Sequence, residues 1–220
     1  MILGMSYEAF ILRIPVILLA LTIHEVAHGW AALKLGDPTA RDEGRLTLNP
    51  FSHLDPLGGI MLMTGVFGWA KPVPVNGYNL TNIKRDLLLV SLAGPVSNII
   101  QAVCFGFIIR LLIIFNPQAL TGHLLLFLQL GFFINAGIAF FNLLPIPPLD
   151  GSKILMGVLP SKHIQGYMNA TRHALLVLIG LLVFGYMTGN HILSMILNPF
   201  YKPFLNLIQF ITFGKAVWAT

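Results

Sequence analysis

The sequence predicts an all-α polytopic membrane protein of about five transmembrane segments, with a small β/loop re-entrant element between spans one and two. Three observations predict it. Only 10% of residues are charged and 56% are hydrophobic, with mean hydropathy +0.80, whereas soluble domains carry about 25% charged residues. Long apolar runs recur along the chain, and about 20 apolar residues suffice for a helix to cross a bilayer. The basic residues gather in alternate connections between those runs, as topology rather than nucleic-acid binding requires. The runs leave no room for a separate soluble domain, so residues 1–220 read as one membrane domain, with a core over 8–157 and peripheral helices over 172–213. One cysteine, Cys104, rules out an intramolecular disulfide.

Glu8–Leu35 is the first span, about 40 Å long if helical against a hydrocarbon core of about 30 Å. It contains His24, Glu25 and His28, an H-E-x-x-H run. Residues four apart share a helix face. Two imidazoles can therefore hold one Zn²⁺ while the carboxylate beside them takes a proton from water. A lone buried histidine is more often a core residue, and a five-residue pattern can arise by chance. Here almost every neighbour is apolar, so no solvated face exists for the triplet, and ionisable groups inside a span mark function. Pro15 is placed to kink this helix, and Gly36-Asp37-Pro38 ends it with Lys34 in the last turn. Met1–Phe10 lacks a basic n-region, so no cleavable signal is expected.

Ala40–Asp86 is the longest polar connection. Gly44–Pro50 alternates with period two and predicts a short strand. Leu57–Trp69 is apolar but glycine-broken, which fits a segment dipping into the membrane against protein. In Ala70–Val75, Pro72 and Pro74 remove donors from one edge, so the piece can pair on one side only. An open edge there suits an extended peptide; a connector with no substrate role fits the residues equally well. His53 and Asp55 either order this loop or bind a second metal, and loop ordering is the commoner use of so few ligands.

Leu87–Phe115 is the second span. Its Gly94-Pro95 patch suits close helix packing, while Asn98 is equally suited to packing or to substrate contact. Leu124–Leu144 is the third span and runs into Asn142-Leu-Leu-Pro145-Ile-Pro147-Pro148-Leu149-Asp150-Gly151. Three prolines in four residues stop a helix, and irregular backbone at membrane depth lines a protein-buried or watered cavity. Asp150 is the natural third ligand of a His₂-carboxylate site, although a capping aspartate before a glycine is the commoner use. Ala174–Gly189 is a shorter fourth span. His191–Phe213 is a fifth segment, expected to break at Asn198-Pro199 and Lys202-Pro203. His123, His163, His173 and His191 lie at span ends, where solvated histidine is the default.

Lys34, Arg41, Arg45, Lys71, Lys84 and Arg85 flank the first connection, and Lys153, Lys162 and Arg172 follow Gly151. The alternate connections 116–123 and 189–191 carry no Lys or Arg. The amino terminus is thus expected outside, in a cell-membrane multi-pass protein whose site faces the cytoplasm. His24, His28 and Asp150 then reach a similar depth, which nothing in their selection required.

With H-E-x-x-H in one span and N-x-x-P-x-P-x-L-D-G ending a later one, the sequence resembles the site-2 proteases, specifically their compact prokaryotic branch. Asn142, Pro145, Pro147, Leu149, Asp150 and Gly151 match the second motif, and Gly36–Ala40, Gly44–Pro50, Trp69–Val75 and Ala93-Gly94-Pro95 with Asn98 also look similar. The resemblance covers roughly Ile17–Gly151. It implies an intramembrane zinc metalloprotease cutting transmembrane protein substrates in regulated intramembrane proteolysis. One Zn²⁺ would be held by His24, His28 and Asp150, with Glu25 as base and Asn142 holding the substrate or oxyanion. The length leaves no room for the PDZ or CBS domains of larger relatives, and no span is expected before the H-E-x-x-H helix. Two rivals remain on the residues: a membrane metal-ion transporter using the same site for transit, and an inactive relative that binds membrane helices.

Overall fold

The structure is a computed structural model and describes residues 7–55, 58, 70–189 and 192–214. Its first helix, α1 (Tyr7–Lys34), runs unbroken through Pro15, with Glu8 in its first turn and Lys34 in its last, each opposing the helix dipole. It stops where the sequence expects. Gly36 adopts φ 106°, a left-handed conformation that a side chain disfavours, and the Gly36 and Asp37 N–H groups return to the Leu33 and Ala32 carbonyls. A single short turn, α2 (Thr39–Asp42), follows.

Helix α3 (Ile83–Phe115) begins one turn before the predicted Leu87 because Asn82 caps it. The Asn82 side chain accepts from the Arg85 N–H, and the buried Asp86 carboxylate accepts from the Asn82 N–H. Helix α4 (Gly122–Leu143) ends at the proline break, after which α5 (Asp150–Val158), α6 (Ser161–Ala170), α7 (Ala174–Thr188) and α8 (Ile192–Phe213) complete the chain. Four helical stretches among the described residues are long and apolar enough to cross a membrane: Tyr7–Lys34, Ile83–Phe115, Gly122–Leu143 and Ser161–Gly185. The protein is an all-α polytopic membrane protein. Residues 192–213 do not break at their prolines, as the sequence had suggested, but continue as one helix through Pro199 and Pro203.

Helix α3 is the central member, packing against α1, α4, α5 and α8. Ala102, Phe132, Ala136 and Ile208 form the buried centre of α3, α4 and α8, with Ile99, Phe105, Phe204 and Phe213 around it. Burial of such side chains contributes shape-matched van der Waals contact, since lipid tails are as apolar as the core itself.

The predicted strand over Gly44–Pro50 is absent. That stretch forms no strand: Gly44 lies in a turn at φ 66°, Pro50 begins a 3₁₀ turn, and the sole bridge among the described residues joins Leu54 to Ala70. The reason lies in which face turns inward: Arg45 is buried while Leu48 is exposed. Side-chain bonds from Arg45, not a backbone ladder, attach this stretch to its neighbour. Asn49 then caps a short 3₁₀ turn at Pro50–Ser52. The predicted re-entrant segment Leu57–Trp69 lies outside the described residues apart from Gly58, whose N–H donates to Asp55 Oδ1.

Candidate metal centre

Three donor atoms converge where α1 meets the start of α5. The Nε2 atoms of His24 and His28 are 3.0 Å apart, and each lies 3.2 Å from Asp150 Oδ2. All three side chains are buried. The helix period supplies the two imidazoles, and the Pro145–Pro148 break supplies Asp150 by ending α4 and starting α5 at that residue. Gly151 cannot be larger there, because a Cβ would meet the Leu143 and Leu144 carbonyls.

The outer nitrogens fix the orientation of the rings. His28 Nδ1 lies 2.7 Å from the Val90 carbonyl, which can only accept, so Nδ1 carries the proton. His24 Nδ1 lies 2.6 Å from Asn98 Oδ1. Asn98 cannot be turned the other way, because its Nδ2 donates to the Ala20 carbonyl at 3.1 Å and to Asn135 Oδ1 at 2.9 Å. Asn135 is oriented in turn by donating to the Gly131 carbonyl. The two Nε2 atoms are therefore the ring nitrogens turned inward, together with a carboxylate oxygen.

Two ring nitrogens and a carboxylate oxygen this close together suit a shared cation. Donors at about 2.0–2.1 Å from a tetrahedral ion are separated by about 3.3 Å, close to the distances found. The residues fit zinc, and histidine ligands anchored through their second nitrogen are the usual arrangement. Among the described residues this is the sole group of three or more such side chains able to hold an ion.

Glu25 lies beside the cluster and its Oε2 accepts from the Val73 N–H at 2.8 Å. It lines an apolar cavity of about 1030 Å³ together with all three donor residues, Asn142 and Lys153. The Lys153 ammonium is 3.9 Å from Asp150 Oδ1, one turn along α5. Asn142 donates through Nδ2 to its own helix at Ile138, leaving its other amide valences toward the cavity.

Asn98, which the sequence leaves open between packing and substrate contact, is placed on the packing side. It is fully buried behind His24, its amide is occupied by His24, Ala20 and Asn135, and it is not part of the cavity wall. Gly94, read from sequence as a packing residue, also belongs to this site. A Cβ there would come 2.6 Å from His24 Nε2 and closer still to His28 Nε2, so only glycine lets α3 cover the imidazoles. Asn135, Val73 and the Val90 carbonyl escaped the sequence reading. Only Asn135 carried a signal, as a second asparagine inside an apolar span.

His53 donates through Nε2 to the Thr47 carbonyl and is buried. With the Asp55 contact to Gly58, this is loop ordering. Asp37 is buried at the end of α1 and accepts from Thr39, Asn79 and the Asn76 N–H. Burial alone would push its carboxyl up, but those bonds hold it below the usual carboxylate range.

Comparison with known proteins follows the same lines. The model of peptidase family M50 matches residues 109–184, which include the proline break and Asp150. The chain is 37% identical to Putative zinc metalloprotease YwhC of Bacillus subtilis over 83% of its own length and 84% of that protein's. It belongs to peptidase family M50, the site-2 proteases. A second M50 relative, Putative zinc metalloprotease Rip2 of Mycobacterium tuberculosis (strain H37Rv), is 32% identical over 82% of this chain and 70% of its own. Zinc metalloprotease MJ0392 of Methanocaldococcus jannaschii is 28% identical over 80% of this chain and 43% of its own. No solved structure matches significantly. The protein is thus a multi-pass membrane member of the M50 metalloprotease family.

Proposed function

We propose that this protein is an intramembrane zinc endopeptidase that hydrolyses peptide bonds within or near transmembrane segments, with its site toward the cytoplasmic face. The observation that carries the reading is the convergence of two imidazole Nε2 atoms and one carboxylate oxygen beside Glu25, at the wall of an apolar cavity. His24, His28 and Asp150 would hold one zinc ion. Zinc bound there supplies Lewis-acid polarisation and makes water nucleophilic near neutral pH.

The rest of the chemistry belongs to side chains. Glu25 takes the proton of the attacking water through Oε1, since Oε2 is held by Val73, and later returns it to the leaving amine. Asn142 offers its remaining amide hydrogen to the developing oxyanion. The apolar lining, with Phe10, Leu21, Phe133, Ile134 and Phe141, accepts the side chains of a membrane segment and excludes bulk water. A substrate helix must unwind locally to expose its carbonyl, which favours cleavage near helix-breaking residues. Regulated intramembrane proteolysis, in which membrane-anchored proteins are cut within the bilayer, is the process this activity would serve.

The test measures zinc content and cleavage of a model transmembrane substrate in liposomes, for the native protein and for Glu25→Gln. The expected result is about one zinc per chain in both, with cleavage reduced about 10²–10⁴-fold in the variant. Undiminished cleavage by Glu25→Gln overturns the assignment. Zinc flux into vesicles without cleavage by the native protein would establish transport instead.

A further inference from the structure

We infer that Arg45 and Asp37 are positioning residues for Glu25, acting through the segment 70–76; this rests on the protease reading above. The link is a single peptide unit. The Val73 N–H donates to Glu25 Oε2, and the Pro72 carbonyl, in the same rigid plane, accepts from Arg45 Nη2 at 3.3 Å. Arg45 Nη2 also holds the preceding carbonyl, Lys71 O, at 2.9 Å. Pro72 and Pro74 have no N–H, so Val73 is the only main-chain donor in residues 72–74 and nothing adjacent competes for the carboxylate.

No sheet holds this peptide in place, since the segment is extended and without a ladder. Its order comes from tethers at both ends. Upstream, the Lys71 N–H donates to the His53 carbonyl at 2.8 Å. Downstream, the Asn76 N–H donates to Asp37 Oδ2 at 2.7 Å, and Asp37 Oδ1 accepts from Asn79 Nδ2 at 2.8 Å. Asp37 lies three residues beyond the end of α1, with its N–H on the Ala32 carbonyl, so the anchor of the orienting segment is itself tied to the helix carrying Glu25. The Val73 side chain is buried against α1 where Gly29 leaves space; a Cβ at Gly29 would come 3.0 Å from Val73 Cγ1.

An Arg45 guanidinium gripping the oxygen of this peptide both aims and polarises its N–H, because linked hydrogen bonds strengthen one another. Glu25 then has one oxygen committed and the other directed at the cavity. Loosening the grip leaves the donor set for zinc untouched and misaligns the base. Misplacement by about 1 Å costs on the order of 10²-fold in rate.

The experiment uses the full chain in liposomes and compares Arg45→Gln, Arg45→Lys, Val73→Pro and the Arg45→Gln/Val73→Pro double variant. Zinc content and KM are expected to stay at native values while kcat falls about 10²-fold in Arg45→Gln and is partly recovered by Arg45→Lys. The double variant should be no slower than the slower single, because both changes act on one peptide unit. Native kcat in Arg45→Gln, or losses that multiply in the double variant, overturn the inference. Hydrogen exchange gives a reading independent of activity: the Val73 amide is protected in the native protein and exchanges at least about tenfold faster in Arg45→Gln and Asp37→Asn. Unchanged exchange overturns the inference even where the native protein cleaves nothing, an outcome that would separately remove the protease reading.

Discussion

Behind His24 and His28 stand α3 and α4, whose Val90 carbonyl and Asn98–Asn135 pair are buried and fixed by helix packing. Beside Glu25, its immediate neighbour in sequence, stands an irregular segment fixed by Arg45, His53 and Asp37. One face of α1 is thus built into the bundle core, and the next is supported from a loop. Under the proposed function, the difference places metal retention and proton transfer on separable parts of the molecule, so a variant is expected to lose one and keep the other.

The largest expected effect lies on the core-built face. Asp150→Ala removes one of three donors and should abolish both zinc retention at micromolar free metal and all cleavage, measured by metal analysis after dialysis. Retention of zinc with full activity would break the comparison at its root. A smaller change sharpens it. Asn98→Leu leaves every donor in place but frees the His24 ring, and zinc affinity should fall about 10–100-fold. Asn98→Asp should recover much of that affinity, because a carboxylate also accepts the Nδ1 proton. Equal affinity in Asn98→Leu and native protein would show that packing alone orients the ring.

The smallest effect belongs to the loop-supported face and to pH. The Asp37 carboxyl is held below its usual range, so its contribution to stability is complete above the unfolded value near 3.9 and is lost as pH falls through the lower folded value. Acidification from about pH 5 to about pH 3 should lower the protection of the Asn76 amide relative to its intrinsic exchange rate, and Asp37→Asn should remove that pH dependence. Persistence of the same dependence in Asp37→Asn would assign it to another group.

The sequence revealed those parts of the site that are local. His24, Glu25 and His28 lie within one helix turn, and the prolines before Asp150 announce a break that no helix survives, so both halves of the donor set were visible without coordinates. Asn98 was visible as a polar residue in a span, but its direction was not, since periodicity gives a residue's face and not the neighbour opposite it. Gly94 was read as packing because a glycine signals close approach without saying to what. Val90 contributes only a carbonyl, which any residue type would offer. The stretch 44–50 misled for a different reason: alternation predicted a short strand, whereas the buried Arg45 found its carbonyl partners across the loop. The number of spans was the least legible part of the fold, since Pro199 and Pro203 sit within α8 without interrupting it.

At Gly94 the backbone of α3 lies flush against both imidazoles and closes that side of the cluster. Under the proposed reading, a peptide lodged in the apolar chamber that the three donor residues line would also cork an exit for the metal.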